Sequence, residues 1–209
     1  TDEAAYFVAD DSPSPLPDWD RVSTYVWENT RTANPDWGWH GEERKILAYD
    51  VELGERMWVA NAPVAPCSLA ADQGRIVFHD GEKLVRLSSD EGAVLWEGES
   101  AQTAIPVQMN TGPRVVLYQD VVLLAANDGK MSGWSIEDGQ KLWEQTQRAS
   151  GHQSLKDLMV VSGRVWTGGI AQSNGNGIYS GYNPLSGELE QEFPPDLDVH
   201  WFHHRCYPA

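Results

Sequence analysis

Residues 48–58, Ala48-Tyr49-Asp50-Val51-Glu52-Leu53-Gly54-Glu55-Arg56-Met57-Trp58, decide the fold, because versions of this text return down the chain. Aligned on the glycine, the later copies are Arg86–Trp96 (RLSSDEGAVLW), Gly133–Trp143 (GWSIEDGQKLW) and Gly181–Gln191 (GYNPLSGELEQ), the last without its closing tryptophan. The anchor glycines Gly54, Gly92, Gly139 and Gly187 stand 38, 47 and 48 residues apart. A period of that size belongs to propeller blades or a solenoid array. Each copy reads as a hairpin: an extended apolar and aromatic run, a polar turn ending in Gly, and a second run closing on Trp. Glycine suits the turn because it takes φ > 0 without a Cβ clash. The tryptophan four residues later carries a large apolar area and an N–H that needs one partner. Such a residue, repeated in register, predicts a filler between neighbouring sheets.

The pattern A-x-D-x-x-x-G-x-x-x-W resembles the tryptophan-docking repeat of pyrroloquinoline-quinone (PQQ) type β-propellers, the quinoprotein dehydrogenase and BamB type. Ala48, Asp50, Gly54 and Trp58 match every fixed position, whereas Arg86, Gly133 and Gly181 replace the alanine and Ser88, Ser135 and Asn183 replace the aspartate. The resemblance covers roughly residues 46 to 194. It implies an all-β propeller of four-stranded antiparallel blades, about four of them present, in one domain over residues 1–209. It also implies export to the periplasm or secretion. Because the motif packs blades and holds no cofactor, it speaks for the scaffold more than for any chemistry.

The composition bounds the partners. Fifteen Lys and Arg against 31 Asp and Glu leave a net charge of −16. Phosphate backbones and anionic membranes reward clustered Lys and Arg, so neither is an expected partner. No stretch approaches the ~18 apolar residues of a membrane span, and no signal-peptide pattern is present. With Thr1 rather than Met at the start, the sequence reads as a mature form or an excised piece. Cys67 and Cys206 are too few for a disulfide framework and leave the redox compartment open.

In chain order, residues 4–9 read as a strand that exits through a proline-rich stretch. Residues 10–45, with Trp19, Trp27, Trp37 and Trp39, read as an insertion in the first blade, either an aromatic binding loop or cover for a sheet edge. The second blade runs through Arg75–His79, the Asp80-Gly81 turn and Lys83–Leu87, where an Asp-Gly pair between β runs is a strong hairpin signal. The third uses Val115–Gln119, Val121–Ala126 and Met131–Ile136. The fourth has Leu158–Val161, Val165–Thr167 and Ile178–Tyr182, with a polar glycine-rich excursion at Gln172–Gly177. Residues 195–209 read as the start of a further blade, which makes the chain a fragment or an open half that needs a partner.

Chemistry has one candidate centre. His200, His203, His204 and Cys206 offer nitrogen and sulfur donors of the kind zinc or copper prefers. Strand alternation puts His200, His204 and Cys206 on one face, spread over roughly 20 Å, so a single ion requires a bend; the alternative is a histidine-rich inner strand. No nucleophile elbow, P-loop, GxGxxG or EF-hand spacing appears, although Asp196 and Asp198 alternate like half a calcium site. The dehydrogenases that the repeat resembles pair adjacent cysteines with a calcium-bound quinone, and adjacent cysteines are absent here. The leading expectation is an exported, non-catalytic binding or scaffold module whose partner is a protein or further blades. The alternative is part of a PQQ-dependent oxidoreductase, with PQQ and Ca²⁺ as cofactors and its active-site residues elsewhere.

Overall fold

The computed structural model describes residues 3–11, 39–103, 105, 107, 112–126, 128–147, 158–168 and 178–193. Fifteen strands and no helix occur among them. Sheet one contains β1 (Ala4–Ala9), β2 (Arg44–Asp50) and β3 (Arg56–Ala62). Sheet two contains β4 (Ala70–Asp72), β5 (Arg75–His79), β6 (Lys83–Leu87) and β7 (Val94–Ser100). Sheet three contains β8 (Arg114–Tyr118), β9 (Val121–Ala125), β10 (Lys130–Ser135) and β11 (Lys141–Thr146). Sheet four contains β12 (Met159–Val161), β13 (Arg164–Gly168), β14 (Tyr179–Tyr182) and β15 (Leu189–Phe193). Every sheet is an antiparallel meander in sequence order, three-stranded in sheet one among the described residues and four-stranded in the others. Short strands joined by tight turns follow from the sequence: Asp80-Gly81-Glu82 links β5 to β6, and Gly81 sits at φ +99°.

The sheets are stacked in order through three apolar interfaces. Ile46, Ala48 and Trp58 of sheet one meet Ile76, Phe78, Val85 and Leu87 of sheet two. The other face of sheet two, Val77 and Leu84, meets Val122, Leu124 and Trp134 of sheet three. Val121, Leu123, Met131 and Trp143 of sheet three then meet Val165 and Tyr182 of sheet four. Successive side chains point to opposite faces, so a strand covered on both sides reads as an unbroken apolar run. Strand β9, Val-Val-Leu-Leu-Ala, is buried at all five positions for this reason. The fold is therefore the expected all-β propeller. It is open: among the described residues no core cluster joins sheet four to sheet one.

Strands β1 and β2 pair from Ala4↔Asp50 to Ala9↔Lys45, so the tryptophan-rich segment lies between two paired strands of sheet one. Its far end is anchored. Trp39 and Val107 exchange backbone hydrogen bonds of 2.8 Å and bury Ala65 between them. Arg44 lies 5.9 Å from the Trp39 ring centroid and ion-pairs with Asp10 at 3.1 Å.

Candidate functional site

The repeat residues form four copies of one turn. Asp50 N–H donates to Glu55 O (2.9 Å) and Gly54 N–H to Asp50 O (3.0 Å). The same two bonds recur as Ser88–Ala93 and Gly92–Ser88 (2.8 and 3.1 Å), Ser135–Gln140 and Gly139–Ser135 (2.8 and 2.9 Å), and Asn183–Glu188 and Gly187–Asn183 (2.8 and 2.8 Å). The anchor glycines adopt φ between +66° and +71°, the left-handed region that an L side chain enters only with strain. The aspartate position caps the turn: Asp50 Oδ1 accepts from the Glu52 and Leu53 amides, and Asn183 Oδ1 from the Leu185 and Ser186 amides. Short polar side chains are favoured there because they bond to backbone two or three residues on.

Each closing tryptophan reaches the turn of the following sheet. The indole N–H of Trp58 donates to Ser89 O at 2.6 Å, that of Trp96 to Ile136 O at 2.8 Å, and that of Trp143 to Pro184 O at 2.9 Å. The same rings lie over the next anchor glycine: a Cβ on Gly92, Gly139 or Gly187 would sit 2.6 Å from Trp58, Trp96 or Trp143. Glycine is thus required twice at these positions, for its φ and for the space the indole takes. The alanine position is explained as well. Ala48, Arg86 and Gly133 are the cross-strand partners of the tryptophans, next to a bulge at the same place in every copy. A Cβ on Gly133 would overlap the Trp143 indole.

The departures have physical reasons. Arg86 stands opposite Trp96, which is half-buried, whereas Trp58 and Trp143 are 8% exposed each. The Arg86 guanidinium donates to Ile136 O at 2.5 Å, beside the indole. In the fourth copy Gln191 faces Gly181, and the space over Gly181 is filled by Trp166 from β13, whose N–H donates within its own sheet to Val161 O at 3.1 Å.

Two further polar sites were not visible in the sequence. His79 is fully buried at the end of β5. Its Nδ1 accepts the Gly81 N–H at 3.0 Å, so the proton rests on Nε2, which donates to Ala101 O at 2.8 Å. Burial lowers its pKa below the usual histidine value, against smaller raising effects of the Ala101 carbonyl and Asp80. Both nitrogens are engaged with backbone, so this histidine fixes structure and has no access to a substrate. A cavity of about 300 Å³ opens between sheets two and three, with Trp134, Lys130, Lys141 and Glu144 on its wall. Lys130 and Lys141 contact Glu144 at 2.6 and 3.2 Å, and Lys141 lies 5.1 Å from the Trp134 ring centroid. The hydrogen bond from Lys130, then that from Lys141, holds the Glu144 carboxyl below its ordinary range. Lys130, Lys141 and Glu144 thus satisfy one another on the cavity wall, and Asp128, also on that wall, accepts the Lys130 backbone N–H at 2.9 Å.

The expected metal residues His200, His204 and Cys206, with His203, lie outside the described residues, as do Gln172–Gly177 and all but the two ends of the tryptophan-rich segment. Among the described residues no three His, Cys, Asp or Glu side chains group to hold a metal ion. Nor is any helix there long and apolar enough to cross a membrane. Cys67 is exposed, at φ +61°.

Comparison with known proteins follows the repeat. The family model described as outer membrane protein assembly factor BamB matches residues 32–189. The serine/threonine-protein kinase AfsK of Streptomyces coelicolor is 31% identical over 126 residues, which is 60% of this chain and 14% of the kinase. Among solved structures, the computationally designed Ika8 protein is 18% identical, covering 71% of this chain and 42% of its own, with a TM-score of 0.50. BamB from Moraxella catarrhalis is 14% identical, covering 74% of this chain and 62% of its own, with a TM-score of 0.48. This chain therefore spans less than two thirds of the length of each of these proteins.

Proposed function

Because the chain belongs to the outer membrane protein assembly factor BamB family, whose model covers residues 32–189, we propose that it is an exported, non-catalytic binding or scaffold module acting on a protein partner. The observation that carries this reading is the use made of the tryptophans. The stacking faces that a planar quinone needs are, for Trp58, Trp96 and Trp143, laid against the next sheet's glycine, and each indole N–H is taken by a carbonyl. What remains for recognition is an acidic surface on a rigid scaffold, and charge complementarity selects a basic protein face. Occurrence of a similar stretch within 14% of a serine/threonine-protein kinase supports a module that serves alongside other activities.

Titration calorimetry of the chain with PQQ plus Ca²⁺ tests the proposal, and no heat of binding at micromolar concentration is the expected result. Saturable micromolar binding would transfer the chain to the oxidoreductase reading. Metal affinity is assigned to His200, His204 and Cys206 on donor chemistry alone, and such ligands bind only after losing protons. Zinc uptake that survives His204→Ala with Cys206→Ala would discard that assignment.

A further inference from the structure

We propose that the cleft between sheets two and three, around Ser132, Lys141 and Glu144, binds a neutral polyhydroxylated ligand of the size of a monosaccharide. Equivalent positions explain why a cleft is there. Cross-strand pairing sets Leu124, Ser132 and Glu144 in one row of sheet three, on the side facing sheet two. The same row in sheet two is Phe78, Val85 and Glu97. Phe78 and Val85 pack into the core against sheet one, whereas the leucine and serine in their places are smaller. From the opposite side, Gly98 of β7 stands where β3 has Ala60 and β11 has Gln145, whose amide crosses to Gly187 O at 3.0 Å. The smaller side chains leave about 300 Å³, the low end of the ~300–1,000 Å³ common for small-molecule sites.

The wall of this cleft carries a buried donor without an acceptor. Ser132 is 7% exposed; its Oγ accepts the Trp134 indole N–H at 2.8 Å, and its own hydrogen goes to no described residue. In sheet four the corresponding row is Thr167, Ser180 and Glu192, and there Ser180 Oγ donates to Glu192 at 2.9 Å. The lysines make the difference. Lys130 and Lys141 both hold Glu144, and the sheet-four counterpart of Lys141 is Leu189. A hydroxyl buried without its partner costs free energy, and a ligand oxygen in the cleft would recover it.

Charge selects the class of ligand. The Asp128 and Glu144 carboxylates stand with the Lys130 and Lys141 ammonium groups, two of each sign, so the wall is neutral as a whole. A lone anion or cation entering it loses its hydration and meets a pair of like charges. A sugar hydroxyl donates to a carboxylate and accepts from an ammonium at the same time, which matches a wall of mixed acceptors and donors. The cleft uses none of the three docked indoles, so a quinone result and a sugar result are independent.

Nuclear magnetic resonance titration of the full chain tests the site, with glucose, galactose, mannose and N-acetylglucosamine as probes and inorganic phosphate and glycine as charged competitors. At least one sugar should give saturable shifts at the Ser132 amide and the Trp134 indole N–H, with a millimolar dissociation constant. Ser132→Val and Lys141→Leu each install the residue that another sheet carries at that position, which favours retention of the fold. Either should weaken the sugar about tenfold or more, as expected for loss of a hydrogen bond to a buried or charged group. No saturable shift from any of the four sugars at tens-of-millimolar concentration overturns the assignment, as do shifts that survive both substitutions. Phosphate or glycine binding there more tightly than every sugar overturns it too, giving the cleft to a charged ligand.

Discussion

Replacing Trp143 by alanine removes three things at once. The indole is 8% exposed and sits in the sheet three–sheet four core with Val121, Leu123, Met131, Val165 and Tyr182. Its N–H holds the Pro184 carbonyl at 2.9 Å, and its ring covers Gly187 and Gly133. Emptying a large core aromatic site costs ~3–5 kcal/mol, and the lost hydrogen bond belongs within that range because the carbonyl regains water once the interface opens. At roughly 2–4 °C per kcal/mol for a chain of this size, the melting temperature should fall by about 6–20 °C. Urea denaturation followed by far-ultraviolet circular dichroism measures the loss. Leu142→Ala is the control, since Leu142 precedes Trp143 on the strand but is 50% exposed, and a loss within ~0.5 kcal/mol is expected there. A Trp143→Ala loss below about 1 kcal/mol, or one equal to that of Leu142→Ala, would refute the view that this indole joins two sheets.

The anchor glycines should separate by what lies above them. Gly54→Ala costs only the strain of its positive φ, ~1–2 kcal/mol, whereas Gly92→Ala adds a 2.6 Å clash with Trp58, and equal melting temperatures for the two variants would remove the distinction. Stability should also fall as pH drops through about 6.5, because the unfolded histidine takes up a proton there while buried His79 does not, and the loss levels off once the lowered folded pKa is passed. Urea midpoints between pH 7.5 and 5 measure this, and a slope unaltered by His79→Gln would show that another group is responsible. Ser68→Ala should cost ~1–2 kcal/mol, since the buried Ser68 hydroxyl donates to Ala65 O at 2.8 Å and accepts the His79 amide at 3.2 Å; an unchanged urea midpoint would argue against it.

What was legible in the sequence was local. Glycine at the end of a polar turn announces positive φ, and all four anchors have it. Alternating apolar runs bounded by Asp-Gly or Gln-Gly give strands, and β1 and β5 fall on the expected residues. The partner of each tryptophan was not legible, because the indole bonds a backbone carbonyl in the next sheet and a carbonyl has no side-chain signature. Ser89, Ile136 and Pro184 share nothing but their position after the aspartate site. The role of Trp166 was hidden for a related reason: the fourth copy fills its space from a neighbouring strand, off the repeat's own frame. His79 gave no signal beyond its place before Asp80-Gly81, since both its partners are backbone groups, one of them 22 residues away.

The direction in which the three indoles point decides most directly whether the repeat joins sheet to sheet. A crystal structure of the chain measures this through the distances from Trp58, Trp96 and Trp143 Nε1 to the carbonyls of Ser89, Ile136 and Pro184. All three should fall near 2.6–2.9 Å, each ring lying flat over Gly92, Gly139 or Gly187 in turn. Indoles that turn to solvent, or that bond within their own sheet as Trp166 does, would contradict an open propeller held together sheet to sheet by its repeat.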